Sequence, residues 1–293
     1  MIAAPVPLME IKSTLIDHNQ LRLYMLRLDL NHPDISGNKW YKLFYNLQEA
    51  RKQNKSVLLT FGGAYSNHIA ATAAAGKEQG FKTIGIIRGE EQFSNATLLF
   101  AQQNGMQLHF VSRALYQQKE ELYKYVAKQF AQENFYLIPE GGSNQLGMLG
   151  CKEITKLIDI DFDYICCACG TGATLSGIIL SLKKQHQALG FQVLKAPNYM
   201  QQEVQQQLKG FPVEANWSIN ENYHFGGYAK IKRELTDFVS HFKLNHHIPL
   251  DLIYTGKIMF GVFDLIEKGY FKKGTTIVAI HTGGLQGNAG FKL

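Results

Sequence analysis

Two lysines, Lys39 and Lys42, lie three residues apart in the segment Ser-Gly-Asn-Lys-Trp-Tyr-Lys-Leu, residues 36–43, which is predicted to begin a helix. At this spacing the two amines lie on one helix face, and each disfavours the protonated form of the other. A neutral amine is the form that makes a Schiff base with an aldehyde, and the second lysine can bind an anion such as a phosphate. Taken alone, the pair is also compatible with two solvated lysines on a helix.

Four glycine-containing turns follow predicted strands, where ligands of parallel α/β folds bind. In the first turn Ser66 can cap the next helix and leave amides free for a carboxylate. In the second, small residues let backbone amides approach a phosphate: Gly170, Thr171, Gly172, Ala173 and Thr174. The others are residues 225–230 and 281–285. Each turn alone is also compatible with ordinary loop structure.

Apolar strands alternate with helical patterns along most of the chain, which is typical of a parallel sheet covered by helices on both faces. We predict strands at 23–30, 57–61, 83–87, 107–111, 135–138, 164–169, 191–195, 252–254 and 276–280. We predict helices at 66–79, 95–103, 114–132, 144–157, 174–184, 228–241 and 257–268. The pattern predicts an α/β protein with two lobes and a ligand site in the cleft between them.

Composition excludes several classes of function. The 293 residues are 45% hydrophobic and 18% charged, as in a globular protein, and the net charge of +6 is dispersed. We therefore expect no nucleic-acid partner. The uncharged stretch 164–182 is interrupted by glycine and polar residues, so we expect no membrane partner. Four irregularly spaced cysteines predict reduced thiols in the cytoplasm and no metal site.

Taken together and in order, these segments resemble the 1-aminocyclopropane-1-carboxylate deaminase and D-cysteine desulfhydrase family. The resemblance runs from about residue 23 to residue 285 and depends on six motifs: GNKxxKL, GGxxSN, GTGxT, a GxYxK-like stretch, YTGK and HTGG. It implies a tryptophan synthase β-subunit-like fold (PLP fold type II), pyridoxal 5'-phosphate as cofactor and a small amino acid as substrate. It also implies a homodimer, with a large cofactor-binding domain (1–43 and 150–293) and a small inserted α/β domain (44–149).

The resemblance implies that Lys39 binds the cofactor aldehyde and that Lys42 faces its phosphate, which the loop Gly170-Thr171-Gly172-Ala173-Thr174 surrounds. Asn67 would bind the phenolic oxygen, and Tyr254 would pack against the ring. Thr255 and Thr282 would lie near the pyridine nitrogen.

The substrate would contact five residues: Ser66, Asn67, His68, Tyr228 and Leu285. The residues expected to take part in catalysis are Lys39, Ser66, Tyr228 and Tyr254. Three positions depart from the family pattern, which has glutamine at His68 and glycine at Ser36 and Ala173. The imidazole of His68 is the departure that could alter pH behaviour or substrate choice.

Thr255 bears on the reaction, because cyclopropane-opening members resemble one another in having glutamate there. A carboxylate would favour a protonated pyridine and deepen the electron sink, whereas threonine would not. We therefore predict β-elimination from D-cysteine, or a related β-substituted amino acid, to pyruvate, ammonia and sulfide. Leu285 is more typical of the cyclopropane enzymes, so 1-aminocyclopropane-1-carboxylate deamination is the alternative. A non-catalytic protein that binds pyridoxal phosphate or a nucleotide is the third hypothesis.

Overall fold

The computed structural model describes residues 4–90 and 95–291 of the chain. The strands are β1 Leu8–Ile11, β2 Arg22–Leu26, β3 Val57–Gly63, β4 Lys82–Arg88, β5 Met106–Val111, β6 Phe135–Ile138, β7 Tyr164–Cys169, β8 Gln187–Gln192, β9 Asn216–Asn220 and β10 Thr276–Ile280. The helices are α1 Thr14–His18, α2 Asn38–Lys52, α3 Asn67–Gln79, α4 Ala96–Gln103, α5 Arg113–Gln117, α6 Lys119–Gln129, α7 Gln145–Cys151, α8 Ala173–Ile179, α9 Tyr199–Leu208, α10 Arg233–His246 and α11 Thr255–Glu267. None of the described helices is both long and apolar enough to cross a bilayer.

The larger sheet has six strands in the order β1-β2-β10-β7-β8-β9. Only β1 runs antiparallel to its neighbour; in the remaining pairs the strands are parallel. Alternate residues of β10 enter different apolar clusters, with Ile277 and Ala279 on one face and Val278 and Ile280 on the other. Both faces are therefore buried, which explains why β10 reads as a continuous apolar run.

The smaller sheet has four parallel strands in the order β5-β4-β3-β6. Val57 and Leu59 of β3 pack into one apolar cluster, and Leu58 between them packs into another. The predicted α/β class with two mostly parallel sheets is confirmed. All four strands lie within the range 44–149 predicted for the inserted domain, but the predicted limits fall inside α2 and α7. The domain limits stay a prediction.

Helices α2 and α7 pack backbone against backbone. A Cβ on Gly150 would lie 2.0 Å from the carbonyl oxygen of Tyr41, so only glycine permits this approach. Further along the same pair, Asn144 Nδ2 donates to Asn46 Oδ1 over 2.7 Å, and Asn46 Nδ2 donates to Asn144 Oδ1 over 3.1 Å. The helix that carries the two lysines is therefore fixed against α7 at both of these points.

Several predicted elements differ from the observed ones. The strand predicted at 23–30 ends at residue 26, and the helices predicted at 144–157, 174–184 and 228–241 are observed at 145–151, 173–179 and 233–246. Three further differences concern residues 252–254, 191–195 and 114–132. Residues 252–254 form no strand, because the Asp251 side chain accepts hydrogen bonds from the backbone amides of Ile253 and Tyr254 and holds them in a turn. The strand predicted at 191–195 is β8, which begins at residue 187. The helix predicted at 114–132 is divided into α5 and α6, since Gln118 has the non-helical dihedrals φ −89° and ψ 79°.

Candidate active site

Lys39 lies in the first turn of α2, as predicted. Its side chain is partly exposed, and its Nζ makes no hydrogen bond or ion pair with any residue that the structure describes. Burial of the amine, and then the charge of Lys42, lower the pKa of Lys39 well below its ordinary value of 10.5. The lysine thus favours the neutral, nucleophilic form at lower pH than an exposed lysine does.

Gly37 brings the start of α2 against the loop that follows β10. Its φ of 75° and ψ of −149° belong to a region that only glycine occupies readily, and a Cβ would lie 2.0 Å from the Thr282 carbonyl oxygen. The amide of Asn38 donates to that same oxygen over 3.2 Å. Lys39 is therefore fixed beside the end of the central strand of the large sheet.

Lys42 differs from Lys39 in its partners. It is 3% exposed, and its Nζ donates to the Gly141 carbonyl over 3.0 Å and to Thr171 Oγ1 over 3.4 Å. Burial lowers its pKa. Gly141 follows β6 of the small sheet and Thr171 follows β7 of the large sheet, so this ammonium lies at the junction of the two sheets.

The loop from Gly170 to Thr174 connects β7 to α8. Gly172 has a φ of 78° and precedes the helix, and Ala173 is 1% exposed. Thr174 Oγ1 accepts a hydrogen bond from Asn38 Nδ2 over 2.8 Å, which connects the loop to the start of α2. The backbone amides of Thr171, Gly172 and Ala173 bond to no other described residue. These amides, together with the Lys42 ammonium, are the donors that a phosphate requires.

The start of α3 carries the predicted carboxylate site. Ser66 caps the helix, its Oγ accepting from the Ile69 amide over 3.3 Å. Next to it, Asn67 Oδ1 accepts from Gln286 Nε2 over 2.9 Å, so Asn67 lies beside the segment that contains Leu285. Leu285 begins a short 3-10 helix and is partly exposed.

His68 is almost fully buried, with 1% exposure. The Thr60 hydroxyl donates to the Ile138 carbonyl over 2.8 Å and therefore accepts from His68 Nε2 over 2.9 Å, which leaves Nδ1 unprotonated. Nδ1 is buried and has no partner among the described residues. Burial and the nearby charges of Lys39 and Lys42 lower the pKa of His68 well below 6.5. The imidazole is therefore neutral at pH 7, and its contact with substrate stays a prediction.

Tyr254 lies over the loop that begins at Gly170, and Tyr228 lies beside Tyr254. A Cβ on Gly170 would lie 3.1 Å from the ring of Tyr254, so the ring rests on the loop. The Tyr254 hydroxyl is 3.4 Å from that of Tyr228, and the rings meet edge to face with centroids 6.1 Å apart. Burial and the neighbouring Tyr228 raise the pKa of Tyr254 well above 10, so this phenol keeps its proton. Tyr228 itself is 41% exposed and lies at the surface of the site.

Thr255, the first residue of α11, is fully buried against Asp251. Its hydroxyl donates to Asp251 Oδ2 over 2.5 Å, and its amide donates to the same oxygen over 2.8 Å. Asp251 Oδ1 accepts from two more backbone amides, those of Ile253 and Tyr254. The Thr255 hydroxyl thus donates its only proton to Asp251. Both carboxylate oxygens of Asp251 already accept hydrogen bonds.

Thr282 is 5% exposed, and its hydroxyl has no hydrogen-bond partner among the described residues. The preceding residue, His281, is fully buried, with Nε2 2.8 Å from the Pro249 carbonyl and Nδ1 3.2 Å from Asp29 Oδ1. These contacts fix the backbone that carries Thr282. The hydroxyl is left able to donate to a ligand.

The structure brings part of the predicted site residues into direct contact, whereas Ser66, His68 and Thr255 bond to residues outside the predicted set. The start of α2 touches Thr282 and Thr174, Lys42 touches Thr171, and Tyr254 touches Gly170 and Tyr228. Sequence reasoning missed Asp251, Gln286 and Thr60. Asp251 could have been found because an aspartate side chain commonly accepts from backbone amides a few residues ahead of it, whereas the contacts of the other two depend on packing between distant segments. In residues 4–90 and 95–291, no three or more histidine, cysteine, aspartate or glutamate side chains are grouped so that they could hold a metal ion.

The chain is similar to known proteins along most of its length. The profile of the family described as "Pyridoxal-phosphate dependent enzyme" matches residues 3–283. A Pyrococcus furiosus protein, provisionally named 1-aminocyclopropane-1-carboxylate deaminase, is 33% identical, with 90% of this chain and 85% of the relative covered. The mitochondrial bifunctional D-cysteine desulfhydrase/1-aminocyclopropane-1-carboxylate deaminase of Arabidopsis thaliana is 32% identical over 92% of this chain and 74% of its own. A solved structure of an ACC deaminase homologue superposes with a TM-score of 0.84 at 29% identity, covering 98% of this chain and 91% of the other.

Proposed function

The chain belongs to the pyridoxal-phosphate dependent enzymes, in the group of 1-aminocyclopropane-1-carboxylate deaminases and D-cysteine desulfhydrases, and we propose that it eliminates sulfide from D-cysteine or a related β-substituted amino acid. The products would be pyruvate, ammonia and sulfide. One observation carries the choice of reaction: the start of α11 offers no free carboxylate. Thr255 stands where the cyclopropane-opening enzymes have glutamate, and both carboxylate oxygens of Asp251 already accept hydrogen bonds.

The donor set of the site fits pyridoxal phosphate. The family's cofactor needs a primary amine for its aldehyde, and Lys39 has one without a partner. Its phosphate needs convergent donors, which are the Lys42 ammonium and the unpaired amides of Thr171, Gly172 and Ala173. The Tyr254 ring beside Gly170 supplies a flat apolar surface. When bound, pyridoxal phosphate supplies an aldehyde that binds amines and a ring that accepts electrons from the α-carbon.

Residues of the chain bind the substrate, accept its proton and exclude water. Ser66 and the free amides at the start of α3 bind the substrate carboxylate and orient the α-carbon. Lys39 Nζ, whose pKa burial and the charge of Lys42 lower, accepts the α-proton. The β-thiol leaves as sulfide, and the released 2-aminoacrylate takes up water to give pyruvate and ammonia. Tyr254 and Tyr228 cover the bound amino acid and limit the access of water.

Proton loss from the α-carbon explains why a weak electron sink is sufficient. Thr282 can donate a hydrogen bond to an unprotonated pyridine nitrogen, and Thr255 cannot supply the negative charge that would hold a pyridinium there. Elimination starts from an acidic α-hydrogen and ends with a good leaving group. Opening a cyclopropane ring has no α-hydrogen to remove and needs stronger activation.

Deamination of 1-aminocyclopropane-1-carboxylate is the second candidate, because Leu285 is more typical of cyclopropane enzymes and lies beside Gln286, the partner of Asn67. One preparation of the holoenzyme should be assayed with D-cysteine, L-cysteine and the cyclopropane acid, reading pyruvate, sulfide and 2-oxobutanoate. We expect sulfide and pyruvate from D-cysteine. Turnover of the ring substrate alone would reject the argument from Thr255.

We also propose a cytoplasmic homodimer. The family resemblance supports the dimer, and the four buried, unbridged cysteines are compatible with a reducing compartment. Light scattering of the purified holoenzyme tests the assembly, and a mass of about 66 kDa, twice the 33.0 kDa of the chain, is expected.

A further inference from the structure

Lys257, in the first turn of α11, is a buried lysine to which neither the motifs nor the proposed reaction give a role. Its side chain is fully buried, and its Nζ donates to two backbone carbonyls, those of His224 over 2.9 Å and Gly227 over 2.8 Å. Among the described residues no carboxylate bonds to it. Burial lowers the pKa of Lys257 to about 8, while nearby Asp251 acts to raise it, so the amine is an ammonium at pH 7.

The two carbonyls belong to a turn with an unusual backbone. Gly226 and Gly227 have φ values of 100° and 126°, and Phe225 and Ala229, which are not glycines, have values of 55° and 54°. Non-glycine residues adopt this region rarely, and such turns persist only where their surroundings hold them. The turn has internal bonds from Gly227 N to the His224 carbonyl (3.0 Å) and from Gly226 N to His224 Nδ1 (2.9 Å). The Lys257 ammonium connects the two ends of the turn, because it donates to the carbonyls of both His224 and Gly227.

This turn carries Tyr228 to the active site. Tyr228 directly follows Gly227, and its hydroxyl is 3.4 Å from that of Tyr254. Tyr254 in turn lies three residues before Lys257, at the start of the same helix. One helical turn therefore fixes both tyrosines, Tyr254 through the backbone and Tyr228 through the ammonium.

We propose that Lys257 is a positioning residue: its buried ammonium holds residues 224–227 in their turn and so keeps Tyr228 beside Tyr254 at the mouth of the site. Burying an ammonium without a carboxylate partner is costly, and an apolar side chain of similar length would pack there more favourably. The lysine adds a charged donor to two carbonyls that otherwise accept one backbone amide each, that of Gly227 over 3.0 Å at His224 and that of Lys230 over 3.2 Å at Gly227. Its contribution is to local geometry rather than to global stability.

Limited trypsin digestion of the holoenzyme tests this without reference to the substrate. Lys230 is exposed just after the turn, so cleavage there reports how often residues 224–230 open. In Lys257→Met we expect cleavage after Lys230 to be about tenfold faster or more, since two hydrogen bonds to a charged donor are lost. Lys257→Gln, which keeps a neutral amide donor, should fall between Met and wild type. Lys268→Met, a change of an exposed lysine just after the same helix, should match wild type.

A thermal melt separates a local effect from a global one. We expect Lys257→Met to melt at the wild-type temperature or above it while the turn opens more often. Wild-type cleavage after Lys230 in Lys257→Met would overturn the proposal. So would equal acceleration at sites throughout the chain, because that pattern reports unfolding of the whole molecule.

Steady-state kinetics give a second readout, which rests on the proposed function. If Tyr228 covers the substrate, Lys257→Met should raise KM by roughly tenfold and lower kcat less. The reason is that the change weakens substrate binding more than it slows the chemical step. Faster cleavage with unchanged kinetics would keep Lys257 as the residue that holds the turn and reject Tyr228 as the substrate cover. Unchanged cleavage with altered kinetics would reject the proposal itself.

Discussion

At the level of single residues, the site shows how partners give different chemistry to the same side chain. Lys39 and Lys42 lie one helical turn apart and are both held below their ordinary pKa. Lys42 donates to a carbonyl and a hydroxyl, whereas Lys39 has no partner at its amine. The first arrangement suits a fixed cation and the second a nucleophile.

Lys39→Ala should abolish turnover. Loss of the amine that accepts the α-proton is expected to lower kcat by about a thousandfold or more, as for removal of a general base. Borohydride reduction of the wild-type holoenzyme followed by peptide mapping should place the cofactor on Lys39. The matched control is Lys52→Ala, an exposed lysine at the end of the same helix, which should keep full activity and the same labelled peptide. A label on another lysine would refute the assignment.

His68→Gln should make the protein less sensitive to acid. The folded state holds the pKa of His68 well below 6.5, so below that pH the unfolded chain binds a proton that the folded chain does not. Wild-type stability therefore falls as the pH drops through this range, and the variant should lose less. Urea unfolding at about pH 7.5 and about pH 5 measures the difference. An equal loss in both proteins would show that His68 is not the group responsible.

The lysine pair and the capping serine could be predicted from the sequence because their roles follow from local spacing. The burial of His68 could not, since it depends on Thr60 and Ile138, which come from neighbouring strands of the small sheet. The same holds for the contact of Gln286 with Asn67, which joins segments 219 residues apart.

At the level of elements, glycines set how closely backbones approach the site. Gly37 holds α2 against the loop after β10, and Gly170 holds β7 against the ring of Tyr254. In both places the missing side chain determines the position of a functional neighbour. Close approach requires glycine at both positions, and at Gly37 the dihedral angles require it as well.

Gly37→Ala should cost about 3 kcal/mol or more, because it adds a backbone clash to a dihedral region that only glycine favours. Gly80→Ala is the control: Gly80 has a similar φ of 74°, but no atom lies within 4 Å of the added carbon. It should cost only about 1 kcal/mol. Urea unfolding of both variants gives the comparison. Equal losses would mean that contact with Thr282 contributes nothing.

Strands were predicted correctly where both faces of the strand are buried. The prediction failed where a side chain takes the backbone hydrogen bonds that a strand would need. Strands β3, β7 and β10 read as apolar runs because both of their faces are covered. Residues 252–254 have the same apolar composition, yet the Asp251 carboxylate takes up their amides and prevents a strand.

At the level of the whole molecule, the site lies at the junction of two sheets, so binding of the cofactor should stabilise both lobes together. The phosphate donors come from α2 and the loop after β7, and Lys42 also contacts Gly141 of the small lobe. The fold class was predictable because alternating strands and helices fix it. The lobe limits stay a prediction, and α2 and α7 run continuously across both predicted boundaries.

Removal of pyridoxal phosphate should lower the melting temperature. At a free concentration one hundred times its Kd, the cofactor is expected to stabilise the fold by about 2.7 kcal/mol. Pyridoxal without the phosphate is the matched ligand, and it should stabilise the apoprotein less because it leaves the Lys42 ammonium and the loop amides unused. Calorimetry of the apoprotein with each compound at one concentration tests this. Equal shifts would rule out a phosphate site at Lys42.

The contact of α2 with α7 limits how this enzyme can be recombined with its relatives. A chimera joined at residues 43 and 149 would change parent inside both helices, with Tyr41 and Gly150 from one protein and Asn46 and Asn144 from the other. Each contact would stay matched, but the two contacts would have to fit one pair of spliced helices. Exchanging residues 38–151 as one cassette keeps the whole interface from one parent. Lys39 then comes from the donor of the small sheet, and the recipient supplies residues 170–174.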